Sequence, residues 1–309
     1  MDYINIVIAT MLLAVSSILT KYYQKRAGTS LVATLWFNVL GGVFTLVIFF
    51  FVAGCKLNFT PFSLIVTGAV SLLIGSYSMI GMKLISMGKI AVYILFLMLG
   101  GMIIPLLYGL FFLGEEMSWL RWMGLVLLIV SMILTVKNDN NKETDAASVT
   151  TKVKQKKNFT YILLCMCVFV INGFVSIGSK MHQIESTYAT VSEIDYVTLT
   201  GLGKLVIFGV PLFACLLKDR TANKRIFTNK QTLIYLLLNT LVYAAVVGIS
   251  FILQLNSASN IPASALFPMI TGGNIVFTAI ASAIVFKERL SKQETCGIVL
   301  CMLATLMFL

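Results

Sequence analysis

Nearly charge-free stretches of about twenty residues recur ten times along this chain, and such stretches have few stable folds open to them. As a helix, each crosses an apolar slab roughly 30 Å thick with its backbone N–H and C=O groups bonded inside the segment. The spans drawn from the sequence are 3–21, 31–53, 62–82, 90–113, 120–136, 159–179, 196–217, 232–253, 262–286 and 294–309. None shows the strict alternation of a barrel strand. With 59% hydrophobic and 11% charged residues in 309, the chain has too little polar surface to cover a soluble globule of its size. The expected fold class is an all-α membrane protein with ten transmembrane helices.

The ten spans fall into two fives. Leu99 to Gly124 reads LGGMIIPLLYGLFFLGEEMSWLRWMG and returns, degenerate but in register, as GGNIVFTAIASAIVFKERLSKQETCG from Gly272 to Gly297. Each copy holds a turn of the form Glu-x-x-Ser-x5-Gly: Glu115, Ser118 and Gly124, then Glu288, Ser291 and Gly297. Earlier in each half an offset of 159 pairs Ser17 with Ser176, Lys21 with Lys180, Gly42 with Gly201, and Leu46 to Phe49 with Leu205 to Phe208. Near the end of each half the offset is 173. The fourteen additional residues fit best in the basic stretch KDRTANKRIFTNK after Leu217. The domain plan is thus a first repeat at 1–137, a polar lysine-rich linker at 138–158 and a second repeat at 159–309. Because each copy has an odd number of spans, the two must cross the bilayer in opposite senses, which gives two inverted five-helix repeats.

The basic residues set an orientation. Nineteen Lys and Arg fall in the odd-numbered connections, three (Lys56, Arg121 and Lys180) in the even-numbered ones, and Lys204 inside a span. By the positive-inside rule the odd connections face the cytoplasm and both termini face outward. The first span starts at Tyr3 with no basic segment before it, so it is expected to be a retained helix and not a cleaved signal. Six cysteines lie mostly within apolar spans, with no CxxC pair and no ligand-spaced His/Cys cluster, so no metal or other cofactor is expected. The net charge of +11 resides in connecting loops and is read as orientation, with the lipid bilayer and a small-molecule substrate as partners and no nucleic acid. A monomer or weak homodimer is the expected state.

The turn motif, the five-plus-five duplication and the span lengths together resemble the drug/metabolite transporter superfamily, in particular its ten-helix EamA-like members. There an apolar run, a Gly-Glu turn and a Gly-rich helix join helices four and five, as LGEEMSWLRWMG and FKERLSKQETCG do here. The resemblance covers essentially the whole chain. It implies a central cavity surrounded by helices one to four and six to nine, with helices five and ten outside. It also implies substrates drawn from amino acids, sugars, nucleotide-sugars, choline-like compounds or drugs. Many bacterial exporters of the family keep both termini in the cytoplasm. The loop charges here are more similar to the rhamnose and glucose uptake branch, which favours import.

Candidate substrate-binding residues are the polar and aromatic side chains within spans, which need partners or a wet cavity in lipid. They are Trp36, Asn38, Ser76, Tyr77, Tyr93, Asn172, Tyr243 and Asn274, together with Lys204. Lys204 is the one cation placed mid-span, where an ammonium costs at least about 2.5 kcal/mol unless it faces water or a partner. Its place in the other repeat is taken by Thr45, and it would attract a carboxylate or phosphate. GLGK is no phosphate loop, because the Gly-x4-Gly-Lys-Ser/Thr spacing is missing. Gly100 and Gly101, with Gly272, Gly273 and Pro268, are expected to let helices approach closely or unwind near the midplane.

Other ionisable residues read differently. Glu115 and Glu288, with Ser118 and Ser291, suit caps of the next helix. Lys21 and Lys180 read first as lysines reaching the interface and second as groups that gate or neutralise an anion, Glu193 and Asp195 first as a solvated helix start and second as a peripheral proton or cation site, and His182 receives no role. Related small multidrug resistance proteins resemble one another in a first-helix Glu, which MLLAVSSILT lacks. No nucleophile with a base, no metal set and no ATPase motif emerges, so the chain is read as a non-enzyme. The function expected is secondary transport of a small organic metabolite, anionic, zwitterionic or a sugar, across the cytoplasmic membrane by alternating access. A coupling proton or cation, or exchange, would supply the energy. The competing readings are a multidrug or toxic-metabolite efflux pump and a membrane receptor or scaffold.

Overall fold

The computed structural model describes residues 1–28, 30–86, 90–144, 154–218, 226–227, 229–286 and 292–308. Glu288 and Ser291, the polar turn of the second repeat, lie outside the described residues. Among the described residues ten helices follow one another: α1 (Asp2–Ala27), α2 (Leu31–Val52), α3 (Pro61–Ser86), α4 (Ile90–Phe112), α5 (Trp119–Thr144), α6 (Lys154–Ile184), α7 (Glu193–Lys218), α8 (Lys230–Asn260), α9 (Ala263–Phe286) and α10 (Lys292–Leu306). Eight are long and apolar enough to cross a membrane; in α5 the apolar part is Trp119–Leu134, and α10 has 15 residues. Both α5 and α6 run on into the stretch expected to be linker.

Local sequence sets where helices begin. Ser30 accepts a hydrogen bond from the Ala33 N–H, Thr60 from Ser63, Ser192 from Asp195 and Asn229 from Thr232, each side chain occupying one of the free donors of a first turn. Ser118 does the same for Arg121 at the start of α5, as its place in the repeated turn suggests. Gly114 takes a φ of +64°, which reverses the chain between α4 and α5.

The two halves are related by a two-fold axis, and the contacts show where it passes. A Cβ on Gly42 would stand 3.0 Å from the Gly201 oxygen and the Leu205 nitrogen, and one on Gly201 would stand 2.9 Å from the Leu46 nitrogen. Gly42 and Gly201 are equivalents at offset 159, so α2 and α7 meet on the axis. Residue 42 faces 205 while 46 faces 201, so the helices run antiparallel, and the axis lies across them and not along them. The same swap joins α5 to α10: Gly124 abuts Ala304, and the Ser131 hydroxyl donates to the Gly297 oxygen at 2.7 Å. Gly100 against Phe169 and Gly273 against Thr10 form a further equivalent pair. The repeats are therefore inverted, as the odd span count requires.

The packing interleaves the halves. The α1 helix lies against α8 and α9, α6 against α3 and α4, and α4 against α9. Contacts within a half, such as α1 with α2 or α3 with α4, are sparse by comparison. The largest apolar core gathers Met102, Leu106, Leu128, Leu266 and Cys301 from α4, α5, α9 and α10. Phe111, Val210, Phe213 and Ile284 face outward and are largely exposed, an apolar surface suited to lipid.

Candidate functional site

A cavity of about 340 Å³ lies between α3, α4, α6, α8 and α9. Both halves contribute to it, while α5 and α10 stay outside. The polar groups that reach it are Tyr77 from α3, Asn172, Ser176 and Ser179 from α6, Gln254 from α8, and Thr271 and Asn274 from α9. Lys180 of α6 adds the one charged side chain among the described lining residues. The rest of the wall is apolar.

Lys180 is buried, contrary to the reading of an interface-seeking side chain. Its Nζ donates to the Ile261 oxygen at 2.7 Å and to the Ala258 oxygen, at the C-terminal end of α8. A cation is favoured there because the last carbonyls of a helix carry about half a negative charge. Two residues further on, Glu115 accepts from the N–H groups of Ala263 at 2.7 Å and Ser264 at 2.8 Å. Glu115 therefore caps a helix, as expected, but the helix is α9 of the opposite half and not α5. Gly109 leaves room for the carboxylate, since a Cβ there would collide with it. One turn, Asn260 to Ala263, is thus held from both sides by opposite charges, the buried Lys180 and the half-buried Glu115.

The neighbouring corner is closed as well. His182, assigned no role from the sequence, is buried with its Nε2 2.8 Å from the Ser63 Oγ and its ring 4.5 Å from that of Tyr196. Asp195 is buried too, not solvated. It accepts from the Asn58 side chain at 3.1 Å and from Ser192 at 3.0 Å, tying the α2–α3 connection to the start of α7. The equivalents of His182 and Tyr196 are Tyr23 and Phe37, whose rings stand 4.6 Å apart at the other end of the molecule. The aromatic pair is kept at both ends, and the two-fold is broken around it. A second cavity of about 180 Å³, lined by Thr20, Gln24, Thr34, Asn38 and Tyr243 among others, lies beside Tyr23. Lys21, the equivalent of Lys180, is exposed, with its ammonium 4.8 Å from the Phe286 ring.

Of the residues singled out from the sequence, Tyr77, Asn172, Asn274 and Gly101 line the main cavity, and Asn38 and Tyr243 the smaller one. Lys204 lines neither. It is half-buried on α7, where Gly42 and Gly201 bring α2 and α7 too close to leave a cavity. Trp36 packs edge-on against Phe227 with centroids 5.4 Å apart, Ser76 donates to its own helix at Leu72, and Tyr93 fills the space beneath Gly81. Helices α4 and α9 run unbroken through Gly100, Gly101, Gly272, Gly273 and the buried Pro268, so these residues serve close packing and not unwinding. Lys180, Gln254, Ser176 and Ser179 were not among the expected binding residues. A signal for three of them exists: Asn172, Ser176, Ser179 and Lys180 recur at helical spacing on one face of α6.

Residues 159–309 match the model of the EamA-like transporter family. The second half of the chain belongs to the EamA-like transporter family. The inverted two-fold carries the same architecture into the first half of this EamA-like protein. A crystal structure titled only as that of a protein aligns with 99% of this chain and 95% of its own, at 12% identity and a TM-score of 0.71, so the fold is shared over the full length. No curated protein matches the chain. It is a multi-pass membrane protein of EamA-like, drug/metabolite transporter architecture.

Proposed function

We propose that this EamA-like protein is a secondary transporter carrying a small organic solute, anionic, zwitterionic or a sugar, across the cytoplasmic membrane by alternating access. The observation that carries the reading is the broken two-fold. A cavity built from both halves lies among helices whose two equivalent ends differ: at one, Lys180 is buried against the α8–α9 turn, and at the other its equivalent Lys21 is exposed and a smaller cavity lies beside Tyr23. Exchanging the conformations of the two ends would move access to the cavity across the membrane with no new fold, as inverted repeats allow. The asymmetry favours transport over a receptor or scaffold, which needs no second opening. The substrate sits in the main cavity, and a proton, a cation or a counter-solute drives the cycle. The end with the buried Lys180 carries the even-numbered connections, so by the loop charges it faces outward, and both termini lie outside.

Two measurements test this. Alkaline phosphatase fused after Leu309 is expected to be active, and an inactive fusion overturns the orientation. Purified protein in proteoliposomes is expected to give saturable uptake of at least one solute from a panel of organic acids, amino acids and sugars. Thr271→Phe, which puts a ring into the cavity, should remove most of that uptake while leaving the chromatographic profile unchanged. No uptake of any class, or uptake unaffected by the filled cavity, overturns the reading.

A further inference from the structure

We propose, on the basis of the transport reading above, that the solute is a small monocarboxylate with an apolar body and a neutral hydrogen-bond donor, of the hydroxy-acid type. Charge decides first. The described lining of the main cavity has one cation, Lys180, and no carboxylate; Glu115 lies behind the α8–α9 turn with both its oxygens on backbone N–H groups. A monoanion matches the positive charge that Lys180 turns toward the cavity. Glu115 behind the turn and the α8 carbonyls offset part of the Lys180 charge; a neutral sugar or a zwitterion leaves the remainder unmatched, and a cation adds a second positive charge, each at a cost that grows as the dielectric falls.

Geometry narrows the choice. An ammonium has three N–H donors, and two of those on Lys180 are held by the Ala258 and Ile261 oxygens. One fixed donor suits one carboxylate oxygen and is too little for a phosphate dianion. The Asn274 Oδ1 accepts from Thr278 at 3.1 Å, which turns the amide N–H groups of Asn274 into further donors. Asn172 and Gln254 are set the other way. The Asn172 Nδ2 donates to the Leu97 oxygen at 2.7 Å and the Gln254 Nε2 to Ser250 at 3.1 Å, so both present oxygens. Neutral amide oxygens suit a hydroxyl or amide N–H and give no counter-charge to an ammonium. The remaining wall, including Ile94, Met98, Phe251 and Phe267, offers only apolar contact, so a polyhydroxylated solute would leave most of its hydroxyls unpaired. A volume of about 340 Å³ is near the lower limit of ligand cavities, which start at about 300 Å³, and keeps the solute small.

Four compounds of one skeleton test the class: phenyllactate, phenylalanine, phenyllactamide and phenylalaninamide. They are titrated by thermal shift against the full-length protein in lipid nanodiscs at fixed ionic strength. Phenyllactate is expected to bind at least about tenfold tighter than the other three, the equivalent of one unmade charged hydrogen bond. Lys180→Gln should abolish the preference for carboxylate over amide. Because that variant also loosens α8, Asn274→Asp serves as a near-isosteric companion that leaves the turn intact; its added carboxylate should reverse the order of phenyllactate and phenylalanine. Equal binding of all four, phenylalanine binding as tightly as phenyllactate, no binding by any, or an unchanged order in Asn274→Asp overturns the proposal. Lys180-dependent binding of phenyllactate without its uptake into proteoliposomes overturns the transport reading and upholds the solute class.

Discussion

Leucine in place of Gly201 is expected to leave almost no correctly assembled protein, whereas leucine at Gly209 of the same helix should be harmless. A Cβ at 201 meets the Leu46 nitrogen at 2.9 Å and the Gly42 oxygen at 3.1 Å, and both are backbone atoms. Neither can turn aside as a side chain would, so α2 and α7 must separate. The cost should exceed the roughly 1–3 kcal/mol of ordinary overpacking. A Cβ at 209 meets nothing within 4 Å. Fluorescence-detected size-exclusion of tagged variants separates the outcomes: a monodisperse peak for Gly201→Leu equal to wild type would refute the crossing described here. Gly42→Leu should fail in the same way, since the axis makes the two positions equivalent.

The second large effect is expected at Glu115. Alanine there removes the acceptor for two N–H groups at the start of α9, and an unmade bond to a buried group costs about 1–3 kcal/mol. Glu115→Gln keeps one carbonyl oxygen and should lose about half as much. Thermal denaturation in one detergent gives the comparison. Glu115→Ala should melt well below Glu115→Gln, and the melting of both should depend on Lys180, since the two side chains brace the same turn. If Lys180→Gln and Glu115→Ala lower stability additively, the turn is not held as a unit.

Much of this architecture is legible in the sequence because it rests on two strong periodicities. Spans of about twenty apolar residues give the helices. Paired landmarks such as Gly42 with Gly201 and Gly124 with Gly297 give the duplication, and its odd span count gives the inversion. The side chains that line a cavity are harder to read, since a polar residue in lipid satisfies its bonding equally well against a neighbouring helix. Tyr77, Asn172 and Asn274 reach the cavity, while Ser76, one residue from Tyr77, bonds back to its own helix. Lysine position misleads in both directions. Lys204 looks central because it interrupts an apolar run, yet α7 is occupied with α2 at that level. Lys180 looks peripheral because it is one turn from the end of α6, yet the free carbonyls of α8 draw it inward. Those carbonyls belong to the helix hairpin of α8 and α9, and no local pattern around residue 180 announces them.

The interleaving of the halves also bears on how such a chain is made. α1 finds its main neighbours in α8 and α9, more than two hundred residues later, and α4 finds its own in α6 and α9. During synthesis the first five helices therefore enter the bilayer with glycine-lined faces at Gly42 and Gly100 that have nothing to close on. Folding has to wait for ribosomal output, and the early helices stand side by side as unpaired spans until the second repeat arrives. A gene cut between α5 and α6 would encode two fragments, each incomplete alone, whose packing faces are complementary only to each other.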